Sequence, residues 1–260
     1  MNQSGDGQIH KIVNGACLTL KMSRTHRKNA LTISMYIELA DALRTAKTDR
    51  TVRVVVITGD GDAFTSGNDL ADFMKDPPQN LDTPVFDFLR EISNFPKPII
   101  AAVNGAAVGI GTTMLLHCDL VYAAEGVKLQ LPFIRLGLVP EAGASWLIPH
   151  AIGHRLAAEL LMLGEHFSSE RGEVLGFVNK CLKPEELMSY VYERAETLAA
   201  LPPEAMRQTK ALLKDSDAEQ LQRVMVSEGE LFIKRLNSPE TAEALQAFFQ
   251  KRKPNFNAFS

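Results

Sequence analysis

Cysteine is scarce and unpatterned. Cys17, Cys118 and Cys181 are three, far apart, with no CxxC pair, which argues against a disulfide framework and a structural zinc. A reducing cytosol suits them. Neither charge dominates: 28 Lys and Arg stand against 31 Asp and Glu in 260 residues, a formal net charge of -3. Nothing in that balance selects nucleic acid or an anionic membrane as partner. The opening MNQSGDGQIHKIVNG lacks the basic start and apolar centre of a signal peptide. Residues 1–8 are expected to form a disordered lead.

Long hydrophobic runs are also lacking, with one candidate exception. From Pro98 to Cys118, PIIAAVNGAAVGIGTTMLLHC approaches the length of a membrane span and carries Gly105 and Gly109 as GxxxG. Asn104 interrupts it, β-branched residues open it, and DLVYAA continues it directly. A strand, a small-residue turn and a buried helix account for it better.

What is present is alternation. HKIVNGACLTLKM predicts a hairpin turning at Asn14-Gly15, ISMYIELADALRTAKTD a helix, and VRVVVITGDG a buried strand. PVFDFLREISNF, PIIAAVNG, GIGTTMLLHC and DLVYAAEG continue as helix, strand, helix, strand, followed by VKLQLP. Stacked β/α units around a buried sheet, an α/β class, follow from this order. Beyond Ala151 the periodicity is helical, with Ser238-Pro239 suited to cap the last helix.

Against this background Glu141 stands out, a lone carboxylate in LGLVPEAGASWLIP. It is either a loop or helix-N-terminal charge, or a group whose apolar setting raises its pKa for proton transfer. Two glycine turns, AFTSGNDL around Gly67-Asn68 and NGAAVGIGTTM around Gly109, Ile110 and Gly111, follow strands and enter helices. Each is either a plain turn or a source of free amides for an oxygen acquiring charge.

Other motifs are thin. His10, His26, His117, His150, His154 and His166 include one i,i+4 pair, His150 and His154, without the Glu of HExxH and across Gly153, so no metal is expected. GIG lacks the rest of a dinucleotide fingerprint. Cys118 between His117 and Asp119 is expected in the core, since adjacent strand residues face opposite ways.

LTLKMSRTHRKNAL, AFTSGNDL, KPIIAAVNGAAVGIG and LGLVPEAGASWLIPHAIG, in this order, resemble the crotonase family, the enoyl-CoA hydratase/isomerase superfamily, from about His10 to the final FFQKRKPNF. The resemblance implies a ClpP-like spiral of ββα repeats over residues 9–200. It implies a C-terminal helical layer over 201–260 that serves trimerisation, and a homotrimer or dimer of trimers. It implies an acyl-CoA thioester as substrate, with no cofactor beyond the CoA carried in, and an oxyanion hole from the Asn68 and Ile110 amides. Ser66, Gly67, Asp69, Leu70, Gly109 and Gly111 flank these donors.

The two glutamates of hydratases are replaced by Thr113 and Phe133, which cannot act as carboxylate acid or base. Glu141 resembles the catalytic glutamate of Δ3,Δ2-enoyl-CoA isomerases, particularly the peroxisomal branch, which shares SGNDL. Double-bond isomerisation is therefore expected. Another crotonase reaction, such as ring-type isomerisation or hydration, and a silent acyl-CoA-binding protein are the alternatives. Arg27 and Lys28 are implied near the nucleotide end of CoA, or form a solvated basic turn, and Lys251 in QKRKP is implied to reach CoA from a neighbouring subunit. Met162, Phe177 and Phe232 are expected in core or subunit interface before acyl pocket. The C-terminal AFS is not the usual peroxisomal tripeptide, so a cytoplasmic, bacterial setting is expected.

Overall fold

The computed structural model describes residues 7–75, 77–216 and 218–259. Residues 1–6 of the expected lead lie outside these, and the first strand already begins at Gln8. β1, Gln8–Asn14, pairs antiparallel with β2, Cys17–Ser23. The two turn residues are Gly15 and Ala16, one place beyond the expected Asn14-Gly15, and Gly15 takes the positive φ of 56°. Glycine at the first central position is what a mirror-image hairpin turn favours.

α1, Ile33–Thr48, starts at Thr32, whose hydroxyl accepts from the Met35 amide. Met35, Tyr36, Leu39 and Leu43 form its buried face. β3, Val54–Gly59, is buried along its whole length, as an uninterrupted Val/Ile run requires of a strand covered on both sides.

From β3 onward one figure repeats: a strand in a large sheet, a short step, a strand in a small sheet, then helix. The first repeat adds β4, Ala63–Thr65, then α2, Leu70–Lys75, and α3, Pro84–Ser93. β5, Ile99–Val103, and β6, Ala106–Val108, lead into α4, Ile110–Thr113, and a 3₁₀ turn. β7, Leu120–Ala124, and β8, Lys128–Gln130, lead through another 3₁₀ turn to α5, Ala144–Ile152, and α6, His154–Leu163. β9, His166–Ser168, α7, Ser169–Val174, and β10, Lys180–Leu182, close the series.

The large sheet runs β1-β2-β3-β5-β7-β10 and the small one β4-β6-β8-β9. All pairings are parallel except β1 with β2 and β8 with β9. This is the expected α/β spiral of ββα repeats. Several short strands were not legible: β4 and β6 of the small sheet lie in segments read as glycine turns, and β9 of the small sheet and β10 of the large one in a stretch read as wholly helical. Three residues each are too few to carry a period.

α8, Pro184–Ala200, lies across β2, β3, β5 and β7. α9, Pro203–Asp215, α10, Ala218–Leu236, and α11, Pro239–Phe249, complete the helical layer, and Ser238 caps α11 by accepting from the Thr241 amide. α10 packs on α5 of the same chain, so the segment beyond residue 200 helps to build the spiral's own interior. The Pro98–Cys118 run resolves into β5, β6, α4 and a 3₁₀ turn. Among the described residues no helix is long and apolar enough to cross a membrane.

The β3–β4 step is held by Asn29. Its side chain is fully buried and its backbone left-handed, φ 56°, a conformation Asn tolerates better than most residues. Its Oδ1 accepts from the Arg24 amide at 2.9 Å, and its Nδ2 donates to Asp60 O and Ala63 O, both at 2.8 Å. Asn29→Ala strands these partners and leaves a left-handed alanine. It should cost about 2–4 kcal/mol, read as a lower urea midpoint at unchanged slope.

Candidate active site

Two backbone segments meet at one wall of a cavity of about 790 Å³. The first follows β4. Leu31 donates to Gly67 O at 2.8 Å and accepts from the Asp69 amide at 2.9 Å. In a parallel bridge of this kind, the N–H and C=O of the intervening residue, Asn68, point away from Leu31. The second segment follows β6: Ile110 is the first residue of α4, so its amide belongs to a first turn without intrahelical acceptors. The segments touch at Gly67, where a Cβ would fall 2.8 Å from Val108 O while φ is +94°. Gly67, Asn68, Gly109 and Ile110 all line the cavity.

Behind this wall sits Glu141, 4% exposed. It lines a recess of about 10 Å³ with Asn68, Phe73, Pro78, Val85, Phe86 and Phe232, about the room of one water. Asn68, Phe73 and Phe232 line both spaces, so the recess adjoins the larger cavity. Among the described residues Glu141 is the one ionisable residue on the recess wall. Burial pushes its carboxyl up to about 8; the Thr113 hydroxyl, donating to Oε1 at 2.5 Å, opposes the rise, and the Glu228 charge adds to it. The Tyr36 hydroxyl donates to Asn68 Oδ1. Burial, then the Glu141 charge, holds that phenol well above 10, so it remains a donor.

The turn carrying Glu141 is unusual. Ala142 and Gly143 both have positive φ, 61° and 75°, and a left-handed alanine is costly. Buried His117, pushed down to about 4 by desolvation, is neutral, and its Nε2–H donates to Ala142 O at 2.8 Å. From α10, Glu228 accepts from the Gly143 amide at 2.6 Å and the Ser145 amide at 2.8 Å. These amides open α5, where a carboxylate also meets the positive end of the helix dipole.

Arg27, Ser66, Gly67, Asn68, Asp69, Leu70, Gly109, Ile110 and Phe133 line the cavity as sequence reasoning grouped them. The Asp69 carboxylate is engaged elsewhere, paired with Arg24 at 2.5 Å and capping α2 through the Ala71 amide. Lys28, Gly111, Thr113 and Lys251 do not line it. Lys28 pairs with exposed Asp62 at 2.5 Å. A Cβ on Gly111 would fall 2.6 Å from Thr65 Cγ2, so this glycine serves close packing. Thr113 faces Glu141 instead. At the tail, Arg252 rather than exposed Lys251 lines the cavity of this chain, and it is paired with Glu243.

Phe232 is buried in the core as expected and also forms part of the recess wall. Met162 is 70% exposed on this chain and so outside its core, which leaves the subunit interface of the two expected places, while Phe177 is buried. Cys118 is partly buried and desolvation pushes its thiol up to about 12, which leaves no nucleophile. Among the described residues no three His, Cys, Asp or Glu cluster as a metal site. Sequence reasoning missed Tyr36, Phe73 and Glu228. Glu228 had one signal: it falls on the stripe of Leu221, Met225 and Phe232 at helical spacing, where a carboxylate needs partners.

A carboxyl raised from 4.5 to about 8 in the folded state binds its proton more tightly there than in the unfolded chain. Its stabilising contribution is therefore full below about 4.5 and lost as pH rises through about 8. Glu141→Gln should raise the melting temperature, by an increment that grows from pH 5 to pH 8. Thr113→Val removes the one bond that favours the charged form. A ¹³C-detected titration of the Glu141 carboxyl should then move to higher pH.

Residues 13–258 match the model of the family described as enoyl-CoA hydratase/isomerase. Enoyl-CoA delta isomerase 2 of Rattus norvegicus is 35% identical over 244 residues, which are 92% of this chain and 62% of that protein. The chain thus spans under two thirds of that relative's length. The 2,3-dehydroadipyl-CoA hydratase of Escherichia coli (strain K12) is 32% identical over 240 residues, 92% of this chain and 94% of that one. Among solved structures, Pseudomonas aeruginosa OdaA is 47% identical, with a TM-score of 0.91 over 92% of this chain and 98% of that one. Relatives named for isomerisation and for hydration lie at similar distance; with the spiral and the paired turns, the matches make this chain a member of the enoyl-CoA hydratase/isomerase family, the crotonases.

Proposed function

We propose that the protein isomerises 3-enoyl-CoA thioesters to the conjugated 2-enoyl form, with Glu141 as the single proton shuttle. The observation that carries this reading is a buried, high-pKa carboxylate in a recess that shares Asn68 with the cavity lined by Ile110. The Glu141 carboxylate takes a proton from C2. The electron pair moves through the carbonyl, and the dienolate oxygen is held by the two amides, whose dipoles are already oriented. The carboxylic acid then returns the proton at C4 as the double bond closes between C2 and C3.

Net, one proton moves and no water is consumed. Hydration would need a second group to activate water, and the nearby Thr113 hydroxyl is committed to Glu141. The near-dry recess supports the same choice, since bulk water would quench the dienolate. CoA is part of the substrate, and no further cofactor is called for. Exposed Leu212 and Leu213 give α9 an apolar surface for association, in the homotrimer or dimer of trimers that the family resemblance implies.

Trans-3-hexenoyl-CoA should be converted with a rise in the conjugated-thioester absorbance, and crotonyl-CoA should be hydrated negligibly. Glu141→Gln should lower kcat by about 10²–10⁴-fold while leaving CoA-ester affinity within twofold; unchanged turnover removes Glu141 from the mechanism. Because the base form is needed, kcat/KM should rise with pH and level off above about 8. At pH 7 only about a tenth of the enzyme then carries the active carboxylate.

A further inference from the structure

We propose that Glu228 is a positioning residue for Glu141: its carboxylate, seated on the Gly143 and Ser145 amides, holds the left-handed Ala142–Gly143 turn that aims Glu141 into the recess. The inference rests on the reading of Glu141 as the proton shuttle, and it stands on geometry. Glu228 is 7% exposed, and both of its oxygens are used, one per amide, at 2.6 and 2.8 Å. Charge-assisted bonds of this length are the stronger kind. Its neighbour Gly229 lets α10 come close to the recess wall, because a Cβ there would fall 2.6 Å from Leu81 Cδ2 and 3.0 Å from Phe86 Cε1. One turn on, Phe232 is part of that wall. One helix face therefore sets both the shape of the recess and the direction of its carboxyl.

The groups facing Glu141 are Thr113, which donates to it, Tyr36, which is neutral, and Glu228. His117 holds the other side of the turn and is neutral as well. Burial raises the Glu228 carboxyl from its usual value and its bonds to Ser145 and Gly143 oppose the rise, so in its ionised form it is the neighbour that separates orientation from simple support. Its charge disfavours a second negative charge on Glu141, and its bonds exclude the water that would solvate one.

Two substitutions test this. Gln at 228 removes the charge and turns an amide NH₂ toward one of the two backbone donors. Asp keeps the charge but is one methylene short of reaching both amides. In either folded variant the ¹³C titration of the Glu141 carboxyl should move to lower pH, with Glu141→Gln identifying the signal. The kcat for trans-3-hexenoyl-CoA, measured on the pH plateau, should fall by about tenfold with KM within twofold, the pattern of an interaction that matters chiefly in the transition state. Circular dichroism melts establish which variants fold. If Glu228→Gln does not, Glu228→Asp decides alone.

A Glu141 titration identical to wild type in the folded variants, or kcat within twofold of wild type, overturns the proposal. Wild-type protein inactive on the alkenyl thioester would instead overturn the isomerase reading. The titration then still tests the clamp.

Discussion

The constraint on which the site depends is the burial of one carboxyl. Glu141 has a wall of Phe73, Phe86 and Phe232, room for about one water, and a single hydroxyl donor. An ionised carboxylate in such surroundings is costly, so the protein holds it close to balance between its charged and neutral forms. Much of the local structure follows from that requirement. Thr113 supplies enough hydrogen bonding to keep the charged form accessible, and the phenylalanines keep solvent from supplying more.

The neighbouring structure is built by neutral or self-compensated groups. Tyr36 is held as a donor and His117 as a neutral imidazole, so neither offers a competing proton in the range where Glu141 titrates. Asp69 is matched to Arg24 and to the α2 amides. At the meeting of the two glycine turns the cavity is offered backbone. The amides of Asn68 and Ile110 are placed by strand and helix ends, and a change of side chain at either position leaves the N–H in being. The paired sheets bring those ends together: β4 and β6 are neighbours in the small sheet, so the turns that leave them arrive side by side.

Much of this was legible in the chain itself. Glu141 declared itself by contrast, a charge in an apolar run, and the glycine turns by their position between strand and helix signals. The family likeness joined them into one site. The remainder was hidden for identifiable reasons. Tyr36 looks like any core aromatic of an amphipathic helix, because periodicity reports burial and not what a hydroxyl touches. Glu228 is one of many helical glutamates, and its partners lie 85 and 83 residues away. Arg252 of this chain's own tail was not legible as cavity lining, because the helix ends there through a left-handed Lys251 and direction cannot be read from spacing.

That long separation between Glu228 and the turn it grips bears on how the molecule comes into being. Closing an 85-residue loop has a sizeable entropic cost, and the partner arrives near the end of synthesis, after both sheets can already have formed. A chain stopped before α10 would contain Glu141, Thr113 and both amide-bearing turns, yet lack the helix that seats the carboxyl and walls off its recess. The carboxyl's seat therefore depends on a segment far along the chain, so that a chain stopped before α10 carries the parts of the recess without its closing wall.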